Sequence, residues 1–161
     1  MAGSRNAARV SLPLYESDYH QWLADQVAAL RAGDPANLDA ENIAEELEDL
    51  GKGVRRELQS RLELILSHLL KWTFQPSKRT PSWENTIFEQ RQRVSDLLLK
   101  NPSLRSHLDE LTTEAYRYAR SAAGNDMGLA PREWRRFFPS RCQWSRDEIL
   151  STSFLPQPRV T

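Results

Sequence analysis

Length, composition and charge describe a chain of ordinary globular character. Its 161 residues are 39% hydrophobic and 27% charged, with a formal net charge of zero, which suits one domain with a core and is too short for two ordinary domains. The single cysteine, Cys142, excludes an internal disulfide and fits a reducing compartment. No run reaches the roughly 18 apolar residues of a membrane span. We therefore expect a cytoplasmic protein that is not embedded in a membrane.

Charge is divided unevenly along the chain, although the total is zero. Residues 1–50 hold three basic and ten acidic side chains, a net charge of −7, and residues 51–161 carry +7. The opposite charges can attract each other within the fold, or the basic part can bind nucleic acid. Both interpretations stay open, and the first is favoured.

The first predicted helix covers about residues 18–31. Residues 1–16 lack a periodic pattern and predict a flexible N-terminal arm, and Ser17 is placed to cap the helix. Gly33-Asp34-Pro35 predicts where the helix ends. Its apolar face follows i, i+3, i+4, i+7 spacing and consists of Tyr19, Trp22, Leu23, Gln26, Val27 and Leu30.

A second, acidic helix is predicted to begin at Asp39, whose carboxylate can accept hydrogen bonds from the amides of the first turn. Gly51 and Gly53 predict a stop or bend near residue 51, because glycine readily adopts the left-handed conformation that ends helices. Acidic side chains flank the apolar stripe of this helix, which is formed by Ile43, Leu47 and Leu50.

The third predicted helix, about Val54 to Phe74, carries a wide apolar surface that indicates a central position in a bundle. Its polar side chains Glu57, Arg61 and His68 lie along one line. If this helix packs antiparallel to the acidic helix, the polar stripes of the two helices meet.

A fourth helix is predicted over about residues 83–100, with Ser82 as its cap. Gln90 lies near the middle of its apolar face and needs a partner, because an unmade hydrogen bond in a core costs about 1–3 kcal/mol. A fifth helix begins at Pro102 and is closed by Gly124.

The C-terminal part is less regular than the rest. Pro131 predicts a short helix through Phe137, and a capping box of Ser145 and Glu148 predicts another from residue 146. The sequence therefore predicts an all-α, single-domain bundle of about five main helices over residues 17–156, with a loop-rich, short-helix C-terminal portion and a tail at 157–161.

Several runs together have the look of a known family. AENIAEELEDLG, RRELQSRLELILSHLLKW and SWENTIFEQR resemble the bacterial helical family catalogued as domain of unknown function twenty-nine, and the likeness spans about residues 15–156. The resemblance implies an all-helical architecture and no established activity. This chain departs from the family pattern after Cys142, where Gln143-Trp144 replaces the usual proline and aromatic residue.

Six polar residues form the first candidate site. Carboxylates and an imidazole that converge between helices can hold a divalent metal, which could activate water for hydrolysis, or can act as a general base. The spacing matches no known metal motif, and the favoured alternative is that these residues form ion pairs between helices. The candidate polar cluster consists of Glu45, Glu46, Asp49, His68, Gln90 and Arg91.

The second candidate site is basic and aromatic. Arginine pairs with phosphate and aromatic rings stack on bases, so such a surface could hold a single nucleic-acid strand. In the favoured alternative, the aromatic side chains close one end of the core. The candidate nucleic-acid-binding residues are Lys71, Lys78, Arg79, Arg135, Arg136 and Arg141.

Two functions are compatible with these patterns. The leading hypothesis is a helical adaptor or binding module that acts through a protein or nucleic-acid partner and needs no cofactor. The alternative is a metal-dependent, nuclease-like hydrolase that uses the candidate polar cluster with a divalent metal. The sequence assigns no catalytic residue and no oligomeric state.

Overall fold

The computed structural model describes residues 13–159, and within them the all-α prediction is confirmed. The α-helices are α1 (Leu14–Ser17), α2 (Tyr19–Ala32), α3 (Ala40–Phe74), α4 (Pro81–Lys100), α5 (Leu108–Asp126), α6 (Pro131–Phe137) and α7 (Arg146–Leu150). Short 3-10 helices cover Pro35–Asn37, Pro76–Lys78 and Pro102–His107. The chain forms two compact units, Met1–Gly51 and Lys52–Thr161.

The described part of the first unit is a helical hairpin. Gly33 ends α2 in the left-handed conformation (φ 66°), as predicted. The backbone N–H of Asp39 donates to Gln26 Oε1 at 2.8 Å, and Trp22 Nε1 donates to Asp39 Oδ2 at 3.2 Å. Tyr19 OH donates to Glu46 Oε2 at 2.6 Å, so α2 and the first turns of α3 run antiparallel.

The start of the hairpin differs from the prediction. Asp18, not Ser17, caps α2, because its side chain accepts a hydrogen bond from the backbone N–H of Gln21 at 3.0 Å. Residues 14–16, which were assigned to a flexible arm, belong to α1. The rest of the predicted arm, residues 1–12, lies outside the described residues.

Asp39 caps α3 as predicted. Its carboxylate accepts hydrogen bonds from the backbone N–H and from the side-chain amide of Asn42, at 3.3 and 2.7 Å. The Asn42 amide, together with the indole of Trp22, holds the pKa of Asp39 below its ordinary value.

The predicted stop near residue 51 is wrong, because α3 is continuous from Ala40 to Phe74. Gly51 and Gly53 lie inside this helix, and neither has a positive φ. A glycine inside a helix costs only about 0.5–1 kcal/mol relative to alanine, which the surrounding good helix formers can offset. The second and third predicted helices are therefore one helix, and they do not meet the condition of antiparallel packing under which their polar stripes would come together.

The second unit is built around the C-terminal half of α3. Leu58, Leu62, Ile65, Leu66 and Leu69 are fully buried, which confirms the wide apolar surface predicted for this segment. The core they share also receives side chains from α4, α5, α7 and the segments between the last helices, including Ile87, Val94, Leu111, Ala119, Phe138, Trp144 and Ile149.

Three boundaries in the second unit differ from the predictions. Thr80, not Ser82, caps α4, with Pro81 in the first turn. The segment from Pro102 begins as a 3-10 helix before α5 starts at Leu108. Gly124 does not close α5 but lies inside it, where a Cβ would stand 2.5 Å from Trp134 Cβ. The glycine therefore lets α6 approach α5 closely.

The predictions for the short C-terminal helices are confirmed. α6 spans Pro131–Phe137, and α7 begins after Ser145 with a complete capping box to Glu148. Among the described residues, no helix has both the length and the apolar composition that crossing a membrane requires.

Candidate functional site

The acidic part of the candidate polar cluster lies in the first unit, where Glu46 is bound by two tyrosines. Tyr15 OH donates to Glu46 Oε1 at 2.7 Å, and Tyr19 OH donates to Oε2 at 2.6 Å. The hydrogen bond to Glu46 raises the pKa of Tyr15 to about 12 and also raises the pKa of Tyr19. Glu45 and Asp49 lie exposed on α3, the helix that also carries Glu46.

The other three members of that cluster lie in the second unit. His68 Nδ1 lies 2.9 Å from the carbonyl oxygen of Leu64, and burial lowers the pKa of this imidazole. The nearby charge of Lys71 also lowers this pKa, and the charge of Asp126 raises it. Gln90 Oε1 accepts a hydrogen bond from Arg61 Nη1 at 3.0 Å, so the partner that Gln90 was expected to need is present.

Arg91 is buried and holds the C-terminal segment. Its Nε donates to the carbonyl of Ile149 at 2.7 Å, its Nη1 to that of Phe154 at 2.8 Å and its Nη2 to that of Glu148 at 3.1 Å. Burial lowers the pKa of the guanidinium to about 10. These contacts assign Arg91 a structural role.

The partners of Glu46, His68, Gln90 and Arg91 each come from within the unit of the residue concerned. The polar stripes were expected to meet only if the second and third predicted helices packed antiparallel, and the continuous α3 removes that basis. Within residues 13–159, no group of three or more histidine, cysteine, aspartate or glutamate side chains is arranged to hold a metal ion.

The candidate nucleic-acid-binding residues fall into two groups. Lys71 is buried, forms an ion pair with Asp126 at 2.7 Å and lies over the Trp83 ring at 5.1 Å. Arg79 donates to the carbonyl of Trp72 at 2.8 Å and stacks on its ring at 4.7 Å. The exposed members are Lys78, Arg135, Arg136 and Arg141.

The aromatic side chains of the basic region pack into the core. The rings of Phe74, Phe137 and Phe138 lie 5.3 Å from one another, and both Phe138 and Trp144 are buried. Phe74, Phe138 and Trp144 are therefore part of the core, and Phe137 packs against it.

An exposed apolar surface of the hairpin is the feature that the sequence did not reveal. We call it the hairpin face: Leu23, Val27, Leu30, Leu47 and Leu50. These side chains are 38% to 67% exposed, although the periodic pattern had predicted that they would be buried. On α2 the buried residues are instead Trp22, Gln26 and Ala29.

Helix geometry places the hairpin face on one side of the hairpin. On α2, Leu23 and Val27 each follow a residue that faces α3, and on α3 Leu47 follows Glu46, which faces α2. One residue further along a right-handed helix is a rotation of about 100°. Because the two helices are antiparallel, the same rotation turns both apolar stripes to the same side of the pair.

The comparisons with known proteins identify a family. The family model described as domain of unknown function DUF29 matches residues 14–155, which is most of the chain. This chain belongs to the DUF29 family. The DUF29 match confirms the resemblance found in the sequence, and it spans both the hairpin and the second unit. Searches of curated proteins and of solved structures found no match.

Proposed function

We propose that this DUF29 protein is a helical adaptor whose hairpin face binds a basic amphipathic helix of a protein partner. The observation that supports this proposal is the exposed apolar surface of the first unit. Leu47 and Leu50, on two successive turns of α3, are 63% and 67% exposed. Exposed apolar surface of this kind is typical of protein-interaction sites, and an amphipathic helix can bury its own apolar face against it.

The charge around this face favours a basic partner. Residues 1–51 carry a net charge of −7, and Arg31 is the only lysine or arginine among residues 13–51. Glu41 and Glu48 are exposed on the same helix as Leu47 and Leu50 and add to the acidic surface of the first unit. A second copy of the hairpin would bring two charges of −7 together, whereas a basic helix would be attracted and oriented.

Binding of a defined peptide tests the proposal. The probe is a fluorescent amphipathic peptide of about 18 residues, or five helical turns, with leucines at i, i+3, i+4 and i+7 and lysines elsewhere. We expect the full-length protein to bind it, and we expect the affinity to fall as salt is added because charge contributes. A peptide of the same composition with scrambled leucine positions should bind much more weakly, as should one with glutamate in place of lysine.

Two substitutions locate the binding surface. Leu47→Ser combined with Leu50→Ser should weaken binding of the peptide at least about tenfold, since a buried leucine side chain contributes about 1.5–3 kcal/mol. Leu99→Ser is the matched control, because Leu99 is 68% exposed in the second unit, and it should leave the affinity unchanged. All three leucines are exposed, so we expect the variants to remain folded.

Three outcomes would contradict the proposal. The first is that the basic peptide does not bind at low salt, or binds equally well to the Leu47/Leu50 double variant. The second is that the protein forms dimers that this double variant abolishes, since the face would then serve a second copy. The third is that labelled single-stranded RNA binds through Arg135 and Arg136 while the peptide does not.

A further inference from the structure

A cavity in the second unit has a lining that no function above explains. Its volume is about 680 Å³. One side is a face of α5, where Thr113, Tyr116, Arg117 and Arg120 recur at i, i+3, i+4 and i+7. The opposite lining comes from the segment that joins α6 to α7, and consists of Ser140, Arg141 and Cys142.

The lining is cationic. It contains three arginines and no acidic residue. Among the described residues, none of the three is in an ion pair with a carboxylate: Arg117 donates to Tyr118 OH at 3.0 Å, and Arg120 Nη2 donates to the carbonyls of Arg135 and Phe138. Guanidinium charge that is concentrated in a cavity without a counter-charge favours an anionic ligand.

Arg120, one of the lining residues, has a donor without a partner in the described part of the chain. Arg120 Nε is buried and has no hydrogen-bond partner among the described residues. A buried donor without a partner costs about 1–3 kcal/mol, and native structures usually satisfy such groups with a ligand, an ion or water. Arg120 therefore keeps one donor that its hydrogen bonds to the carbonyls of Arg135 and Phe138 leave unused.

The remaining lining residues are neutral. Burial raises the pKa of Tyr116 to about 12 and also raises the pKa of the Cys142 thiol. Tyr116 OH donates to the carbonyl of Pro139 at 3.0 Å, and Cys142 Sγ donates to that of Trp144 at 3.6 Å. At neutral pH neither side chain adds a negative charge that would repel an anion.

We propose that this cavity binds a small organic phosphate monoester, with Arg117, Arg120 and Arg141 around its phosphate group. Guanidinium groups match phosphate oxygens in geometry and can bind them with two parallel hydrogen bonds. The volume is within the range of about 300–1,000 Å³ that is usual for small-molecule sites and exceeds the need of a bare phosphate ion. The hydroxyls of Thr113 and Ser140 can form hydrogen bonds with polar groups of the organic part of the ligand.

Titration calorimetry on the full chain tests this proposal with matched probes. Ribose 5-phosphate and adenosine 5′-monophosphate are compared with ribose, adenosine and inorganic phosphate. We expect at least one of the two monoesters to bind, and to bind about tenfold or more tightly than its unphosphorylated counterpart and than inorganic phosphate. A single-stranded oligonucleotide with and without a 5′-phosphate shows whether a nucleic-acid end is an alternative source of the same group.

Substitutions assign the binding to the cavity. Arg117 and Arg141 are exposed at its rim, so Arg117→Ala and Arg141→Ala should leave the fold intact, and we expect each to weaken monoester binding about tenfold. Arg136→Ala is the control, since Arg136 is exposed on α6 and does not line the cavity, and it should have no effect.

Some results would overturn the proposal. One is that neither monoester produces heat at low salt and millimolar concentration, and another is that both bind no more tightly than ribose and adenosine. Equal losses of affinity in Arg136→Ala and Arg141→Ala would assign the binding to general surface charge. Oligonucleotide binding that is tighter than monoester binding and independent of the 5′-phosphate would show that the site serves a nucleic-acid backbone.

Discussion

Arg91 shows how one side chain can fix a segment that has little secondary structure. Its three hydrogen bonds join α4 to the carbonyls of residues 148, 149 and 154, which belong to α7 and the segment after it. The planar guanidinium presents donors in a fixed fork, so that one residue satisfies three acceptors from different directions. A lysine at the same place carries a single ammonium group and cannot reach all three.

We therefore expect Arg91→Lys to lower the free energy of unfolding by about 2 kcal/mol or more, because buried carbonyls lose their donor. Urea unfolding followed by tryptophan fluorescence measures this change. The matched control is Arg93→Lys on the same helix, since Arg93 forms an exposed pair with Glu89 at 2.7 Å and such pairs contribute at most about 1 kcal/mol. Similar losses in both variants would contradict the anchoring role of Arg91.

A second residue-scale prediction concerns Glu46 and pH. The fold favours the neutral form of Tyr15, whose pKa is raised from 10.0 to about 12 by its hydrogen bond to Glu46. The stability from this contact is therefore complete below pH 10 and is lost as the pH rises from 10 towards 12. Glu46→Gln should lower the pKa of Tyr15 towards 10, because a neutral amide replaces the carboxylate that accepts the hydrogen bond.

Ultraviolet titration of tyrosinate checks this prediction. Tyr116 serves as the internal control, because its raised pKa of about 12 results mainly from burial in the second unit and should not change in the variant. If the titration curves of Glu46→Gln and of the unaltered protein coincide, the two tyrosines are not held by Glu46.

At the scale of elements, α3 is the helix on which the two units depend. It contributes the acidic side of the hairpin and the central apolar surface of the second unit, and it passes through Gly51 and Gly53 without a change of conformation. Both glycines have free space around the position of a Cβ. The helix is thus weakest where its two differently charged halves join.

Alanine at these positions should strengthen the helix. We expect Gly51→Ala and Gly53→Ala each to stabilise it by about 0.5–1 kcal/mol, and amide hydrogen exchange over residues 48–56 should become slower. Gly124→Ala is the contrasting variant, because its Cβ would clash with Trp134, and we expect a destabilisation of about 1–3 kcal/mol. Faster exchange around residue 51 in the alanine variants would show that a glycine bend is needed there.

The sequence predicted most helices because their signals are local. Capping residues and a proline correctly predicted where α6 and α7 begin, and the apolar periodicity predicted the buried part of α3. The stop at Gly51 and the closing role of Gly124 were wrong for one reason: a glycine is equally compatible with a helix end, a helix interior or a close contact. Only the residues packed around it, such as Trp134, decide which of these applies.

The candidate sites were harder to predict than the helices. The stripe of Leu47 and Leu50 was visible in the sequence, but periodicity does not show whether another element covers it. The partners of Arg91 are backbone carbonyls about 60 residues further on, and carbonyls have no sequence signature. The sequence spacing of Arg117 and Arg120 places both on one face of α5. Only the structure shows that Arg141 lines the same cavity.

At the scale of the whole molecule, each unit carries its own charge and its own candidate surface. The first unit has a net charge of −7 and an exposed apolar face, and the second has +7 and an arginine-lined cavity. This division suits an adaptor that recognises a basic protein segment at one unit and a small anion at the other. The two proposals concern separate residues, so either can fail without the other.

Methyl NMR on the full chain with the basic amphipathic peptide tests the central proposal most directly. We expect the peptide to shift the methyl signals of Leu23, Val27, Leu30, Leu47 and Leu50, while the methyls of Leu62 and Leu69, which are fully buried in the second unit, keep their positions. Shifts confined to the second unit, or no shifts at a peptide concentration that saturates binding, would contradict the assignment of the hairpin face as the docking surface.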